Sequence, residues 1–271
     1  MIRTLAVLAA SLVVTCGFAP TPSPPPSGAA GIPSPDAGVD QPLAAAKPHY
    51  DAAERLLASG YVAAAIAEFD QAIALDPGFA AAYLGRGNAF VKVSDPEHAK
   101  ADFTKVIELG QYLAIAYAAR GSADGQLGAY SAAVADFEQS LKIDPKNAST
   151  YYSLAVVKVQ LGSLADARHD LDEAIAADPS LVYAYVDRAS LRSQTGDPAG
   201  AVADYSAAIE RTGNDPLLPQ LYVYRAQARL ASGDRAGAVS DLKAAKALYA
   251  KAGDNASAQR VQSSIDALTA P

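Results

Sequence analysis

Residues 83–103 read YLGRGNAFVKVSDPEHAKADF, and the spacing inside this stretch decides the fold. Tyr83, Arg86, Gly87 and Phe90 fall at helical intervals. A break at Ser94-Asp95-Pro96 follows, and then Ala99 and Phe103 stand four apart. Asp before Pro is a helix start, because the carboxylate caps free N–H groups and proline tolerates the first turn. Outward from this stretch the pattern recurs at a step of 34. Tyr83, Tyr117, Tyr151 and Tyr185 keep that step, as do Ala65, Ala99, Ala133, Ala167 and Ala201. Phe69, Phe103, Phe137, Leu171 and Tyr205 follow four residues after those alanines. Gly60, Gly128, Gly162 and Gly196 mark the turns, with Ser94 in the remaining slot, and Pro77, Pro145 and Pro179 close units after an Asp. Six units result: 46–79, 80–113, 114–147, 148–181, 182–215 and, after the insertion 216–218, 219–252.

Composition agrees. The chain has 271 residues, of which 62 are alanine, 7% are aromatic and none is Trp. That balance points away from β-sandwiches and barrels, which rely on β-branched and aromatic residues, and towards closely packed helices. Each unit predicts two helices whose small residues meet: Gly87, Gly121, Ala155 and Ala189 on the first, Ala99, Ala133, Ala167 and Ala201 on the second. No unit buries its faces alone, so stacking supplies the core. Residues 254–269 predict a capping helix with Val261, Ile265 and Leu268 on one face and Gln259, Arg260 and Gln262 on the other.

The period and the Tyr83-x2-Arg86-Gly87-x2-Phe90 … Ala99-x3-Phe103 pattern resemble the tetratricopeptide (TPR) repeat family over about three quarters of the chain. His49 in the first unit's aromatic slot and Gln111 in place of the second unit's closing proline depart from it. The resemblance implies an all-α, right-handed α-solenoid of six helix-turn-helix repeats plus the capping helix. It also implies a concave groove lined from internal positions 2, 5, 9, 12 and 13 of the first helices. On this mapping the partner-binding groove comprises Tyr50, Leu84, Asn88, Val91, Ile115, Ser122, Gln126, Tyr152, Val156, Val159, Tyr183, Val186, Ser190, Val223 and Gln227. Lys47, Glu54 and Lys92 are its ionisable residues. A groove of apolar, amide and hydroxyl groups suits an amphipathic helix or extended segment of another protein.

Charge is patterned as well. Arg86, Arg120, Arg188 and Arg225 occupy internal position 7, and Asp102, Asp136, Asp204 and Asp241 occupy position 23 of the same units. Matched acids at fixed spacing predict ion pairs between first and second helices rather than a row of arginines awaiting anions. The net charge of -7 argues against a nucleic-acid surface.

Motifs for chemistry are missing. His49, His98 and His169 lie in different units, with no second His at metal spacing. Gly85-Arg86-Gly87 lacks the third glycine and the preceding strand of a phosphate loop. There is no Gly-x-Ser-x-Gly and no His-Glu-x-x-His. No catalytic residue, cofactor or metal is therefore expected. The sequons at Asn147 and Asn255 read as helix-start residues.

The N-terminus differs in kind. Residues 1–19 predict an export signal: Arg3 supplies the positive start, and Leu5 to Val14 an apolar run shorter than a bilayer span. Val13-Val14-Thr15-Cys16-Gly17 resembles a bacterial lipobox, which implies lipidation at Cys16. Ordinary cleavage after Gly17-Phe18-Ala19 is the alternative, although Pro20 follows that site. Residues 20–45, rich in proline, predict a disordered tether. The sequence thus predicts a protein–protein scaffold or adaptor held at an envelope membrane by its N-terminal lipid. A soluble secreted or periplasmic peptide-binding module, chaperone-like and without lipid, is the alternative.

Overall fold

The computed structural model describes residues 41–213 and 215–270. These are all-helical: thirteen helices and no strand among the described residues. They fall into two compact units divided between Ala177 and Asp178. The first holds α1 (Gln41–Ala58), α2 (Val62–Leu75), α3 (Ala80–Lys92), α4 (Pro96–Glu108), α5 (Leu113–Gln126), α6 (Tyr130–Ile143), α7 (Ala148–Gln160) and α8 (Leu164–Ala177). The second holds α9 (Val182–Gln194), α10 (Pro198–Thr212), α11 (Leu218–Ala231), α12 (Arg235–Lys251) and α13 (Asn255–Thr269). In each unit the helices pack in chain order, pair upon pair.

The local chemistry of each boundary is legible. Asp95, Asp197, Asp234 and Asp254 cap α4, α10, α12 and α13 by accepting the N–H three residues on. Asn147 does the same for α7, accepting from Thr150 N–H at 3.0 Å. Asn255 stands one residue inside α13, behind the capping Asp254. Turns between paired helices need a left-handed residue: Gly128, Gly162 and Gly196 supply it, and Ser94 adopts it at φ 59°.

One boundary differs from the sequence reading. α1 begins at Gln41, so residues 41–45 belong to the folded body rather than to the tether. The cause is burial: Ala46 is fully enclosed and Leu43 packs against the same cluster. The composition of 20–45 hid this, because Pro42 and Pro48 flank the first turns.

Two interactions hold each pair of helices. The first is steric. A side-chain carbon placed on Gly87 would lie 2.6 Å from the Phe103 ring, and one on Gly121 would lie 3.1 Å from Phe137 and from the Ala133 carbonyl. Glycine lets the ring occupy that space, and Phe69, Phe103 and Phe137 are fully enclosed. The second interaction is a clasp. Arg120 donates Nε–H to Asp136 at 2.7 Å and Nη2–H to its other oxygen at 2.8 Å. Arg86 with Asp102, Arg188 with Asp204 and Arg225 with Asp241 repeat this bidentate geometry. Each of these arginines also lies over the Tyr three residues before it, at 5.4–5.7 Å. Hydrogen bonds donated to their aspartates push the Arg86, Arg120 and Arg225 guanidinium pKa values up, so the clasps stay charged. The anticipated pairs therefore form within units. Where position 7 lacks Arg, other side chains serve: His49 Nδ1 meets Glu68 at 2.6 Å and Lys158 meets Asp170 at 2.7 Å.

Opposite outcomes follow for two helical glycines, Gly87 inside α3 and Gly125 in the last turn of α5. Gly87→Ala should destabilise by about 1–3 kcal/mol through overpacking. Gly125→Ala meets only Val157 Cγ2 at 3.4 Å; it should stabilise by about 0.5–1 kcal/mol through helix propensity. Urea unfolding of both variants checks the sign. A double-mutant cycle on Arg120→Ala and Asp136→Ala should return a coupling of about 1–3 kcal/mol, and a value near zero removes the clasp.

Candidate functional site

The groove residues separate by internal position. Those at position 5 turn inward. Leu84, Tyr152 and Val223 are 5%, 3% and 8% exposed, so they belong to the core rather than to a lining. Val186 and Tyr50 are half-buried, Val186 against the Ala189, Ala201, Tyr205 and Ala228 cluster. The Tyr50 ring sits 5.0 Å from that of Phe79 and 5.8 Å from that of Phe69. Burial, reinforced by Glu54, pushes its hydroxyl far above the usual tyrosine range. At position 2, Ile115 and Tyr183 face outward, 49% and 43% exposed, whereas Ala81 is buried. Asn88, Ser122, Val156, Ser190 and Gln227 at position 9, and Val91 and Val159 at position 12, are half-buried. Gln126 at position 13 is exposed.

In the second unit several of these residues converge. A cleft of about 260 Å³ lies between α9 and α11. α9 contributes Ser190, Ser193 and Gln194, while α11 contributes Tyr224, Gln227, Ala228 and Ala231. Tyr205 of α10 completes the lining, its ring 5.8 Å from that of Tyr224 at a 30° tilt. The Gln194 amide donates to Ser190 Oγ at 3.2 Å. Among the described residues no charged side chain lines this cleft. Arg188 and Arg192, on the same helix, are both tied to Asp204. Chemically the site offers amide and hydroxyl groups above two aromatic faces, the kind of lining that orients an uncharged chain segment. Sequence mapping located Ser190 and Gln227. It missed Tyr224 and Ala228, which face the cleft from positions outside the mapped set.

The first unit has a smaller cleft of about 130 Å³ where α1 meets two inter-repeat loops. Leu43, Lys47 and Tyr50 line it from α1, Gly78 and Phe79 from one loop, and Gln111 and Tyr112 from the other. Gln111 is the residue in place of a closing proline. The following Tyr112 adopts φ 50°, a conformation non-glycine residues rarely hold, and packs onto the first repeat's core. Lys47 pairs with Asp51 at 3.0 Å.

The remaining motifs are accounted for structurally. Gly85-Arg86-Gly87 sits inside α3, its glycines against the Phe69 and Phe103 rings. His98 stacks on Phe90 at 5.0 Å and contacts Asp95 at 2.7 Å. Among the described residues no group of three or more His, Cys, Asp or Glu is placed to hold a metal ion. Nor, among them, is any helix long and apolar enough to cross a membrane. Cys16 and residues 1–40 lie outside the described residues.

Known proteins resemble the chain in its repeats. A model of the TPR repeat matches residues 53–94 and 121–162, and a second tetratricopeptide repeat model matches 152–216, together just over half of the chain. No curated protein matches the sequence. PilW, described as a widely conserved type IV pilus biogenesis factor, superposes with a TM-score of 0.68 at 17% identity, over 83% of this chain and 100% of its own. Pseudomonas aeruginosa PilF gives 0.67 at 16% identity over the same shares. YrrB, a TPR protein described as having an unusual peptide-binding site, gives 0.53 at 21% identity over 64% of this chain and 89% of its own. At these identities the likeness is one of fold.

Proposed function

Because the chain belongs to the tetratricopeptide repeat family, whose fold is a protein-interaction scaffold, we propose that it is an adaptor that holds a segment of a partner protein in its repeats and is itself held at an envelope membrane. The observation that carries the binding half is the uncharged cleft between α9 and α11. Ser190, Gln194 and Gln227 present hydrogen-bonding groups beside the Tyr205 and Tyr224 rings. Burying a charge there without a partner is costly. The cleft therefore selects a neutral, amphipathic or extended segment over a carboxylate terminus. The exposed Ile115 and Tyr183 extend the candidate binding surface, each within its own unit.

The membrane half rests on sequence. Cys16 stands in a lipobox-like context, and eight prolines between Pro20 and Pro42 precede the folded body. A lipid on Cys16 followed by an extended spacer keeps a body clear of headgroups. Envelope location also accords with the similarity to the pilus biogenesis factor PilW, at the level of analogy. Thr15, unusual before a lipidated Cys, favours a second reading: a soluble periplasmic or secreted peptide-binding module with the same cleft.

Two experiments test these halves separately. Affinity capture from envelope extracts, with the partner identified by mass spectrometry, should lose at least about tenfold in yield with Ser190→Glu or Gln227→Glu, because each adds a charge to a neutral site. Glu138→Lys, on the exposed face of α6, should leave capture unchanged. If Glu138→Lys matters and the cleft variants do not, the binding surface is elsewhere. Fractionation of wild type against Cys16→Ser should move the protein from membrane to soluble fraction. A wild type that is already soluble leaves the second reading.

A further inference from the structure

The cleft of the first unit has no role in partner capture as argued above, yet it is built from three aromatic rings, Tyr50, Phe79 and Tyr112, with Lys47 and Asp76 as its charged lining residues. We propose that residues 32–40 of this same chain dock into it, making the cleft an intramolecular seat that fixes how the tether leaves the body. Position supports this first. The tether joins α1 at Gln41, two residues before Leu43, which is itself part of the lining. Leu43, Lys47 and Tyr50 then lie along about 10 Å of one helix face. Residues 32–40 can reach about 28 Å when extended, so the segment spans the cleft with residues left for a reversal. Gly38 supplies the backbone freedom for that reversal.

Chemistry supports it next. Residues 32–36 read Ile-Pro-Ser-Pro-Asp. Proline in extended form docks on aromatic-lined grooves at small entropic cost, since its backbone is already restricted. Asp36 provides a second acid for Lys47, which already donates to both Asp51 oxygens at 3.0–3.1 Å and keeps 46% of its side chain exposed. Attachment a few residues away raises the local concentration of the segment to the millimolar range. Weak contacts then suffice where a free peptide of the same sequence would bind poorly. The left-handed Tyr112 fits this reading, since it packs on the first repeat's core cluster and lines the cleft as well.

The test uses the full chain with Cys16→Ser, which removes the native thiol. Gln111 lies exposed at the cleft rim, whereas Lys92 lies exposed at the far end of α3. The pair Pro35→Cys with Gln111→Cys should oxidise to an intrachain disulfide at least about tenfold faster than Pro35→Cys with Lys92→Cys, because bridging needs Cα atoms about 4.4–6.8 Å apart. Adding Lys47→Glu should shrink that advantage. Equal rates for the two pairs overturn the proposal. So does micromolar binding of a synthetic peptide of residues 28–40 at Tyr112 of the full chain, read by NMR shifts, since it shows the seat vacant and points to an external proline-rich partner. Either failure leaves the α9–α11 cleft untouched.

Discussion

Close approach of two helices is the constraint on which everything else rests. The paired helices of a repeat meet where at least one side chain is small, and an aromatic or branched residue fills the space beside the contact. In the second and third repeats this is glycine against phenylalanine, Gly87 with Phe103 and Gly121 with Phe137. In the fourth and fifth repeats the small partner has grown to Ala155 and Ala189, opposite Leu171 and Tyr205. In the fourth repeat volume is traded across the contact, a ring giving way to Leu171 where glycine becomes Ala155, as interiors packed near crystal density require. The second-unit cleft arises at such a contact: Tyr205 serves the packing and lines the cleft as well.

The guanidinium groups act at the next level. Nε and Nη2 close the clasp inside a repeat, and Nη1 is left free to reach backwards. Arg86 Nη1 contacts Asp70 at 2.5 Å, Arg120 Nη1 contacts Thr104 at 3.4 Å and Arg225 Nη1 contacts Ser206 at 3.0 Å. Each of these acceptors belongs to the preceding repeat's second helix. One arginine thus ties together three helices, which lysine could not do with comparable geometry.

The period of 34 exposed the fold because many positions repeat the same physical demand. Small residues, rings, turn glycines and Arg–Asp pairs recur in register, so a departure in one unit does not obscure the rest. The site was less legible. Internal position 5 carries Tyr50, Leu84, Tyr152, Val186 and Val223, apolar or aromatic in each case. That uniformity is the signature of burial, and it distinguishes position 5 from position 9, where Asn88, Ser122, Ser190 and Gln227 appear. Tyr224 escaped notice because its role depends on an inter-helix cleft that no single repeat contains. The start of α1 was misplaced because prolines dominate its neighbourhood, although Leu43 and Ala46 already stand on one helical face.

Acidity is also unevenly distributed. Residues 178–271 carry ten basic and ten acidic side chains, so the excess of carboxylates lies ahead of them. The backward reach of the arginines adds a mechanical link between repeats. The junction between the first two repeats is fastened by a charged pair, Arg86 with Asp70, and the next by Lys100 with Asp124. If the chain is held at its N-terminus, tension enters at joints closed by ion pairs. Such joints are stiff to small displacements, because charge-assisted hydrogen bonds are short and directional.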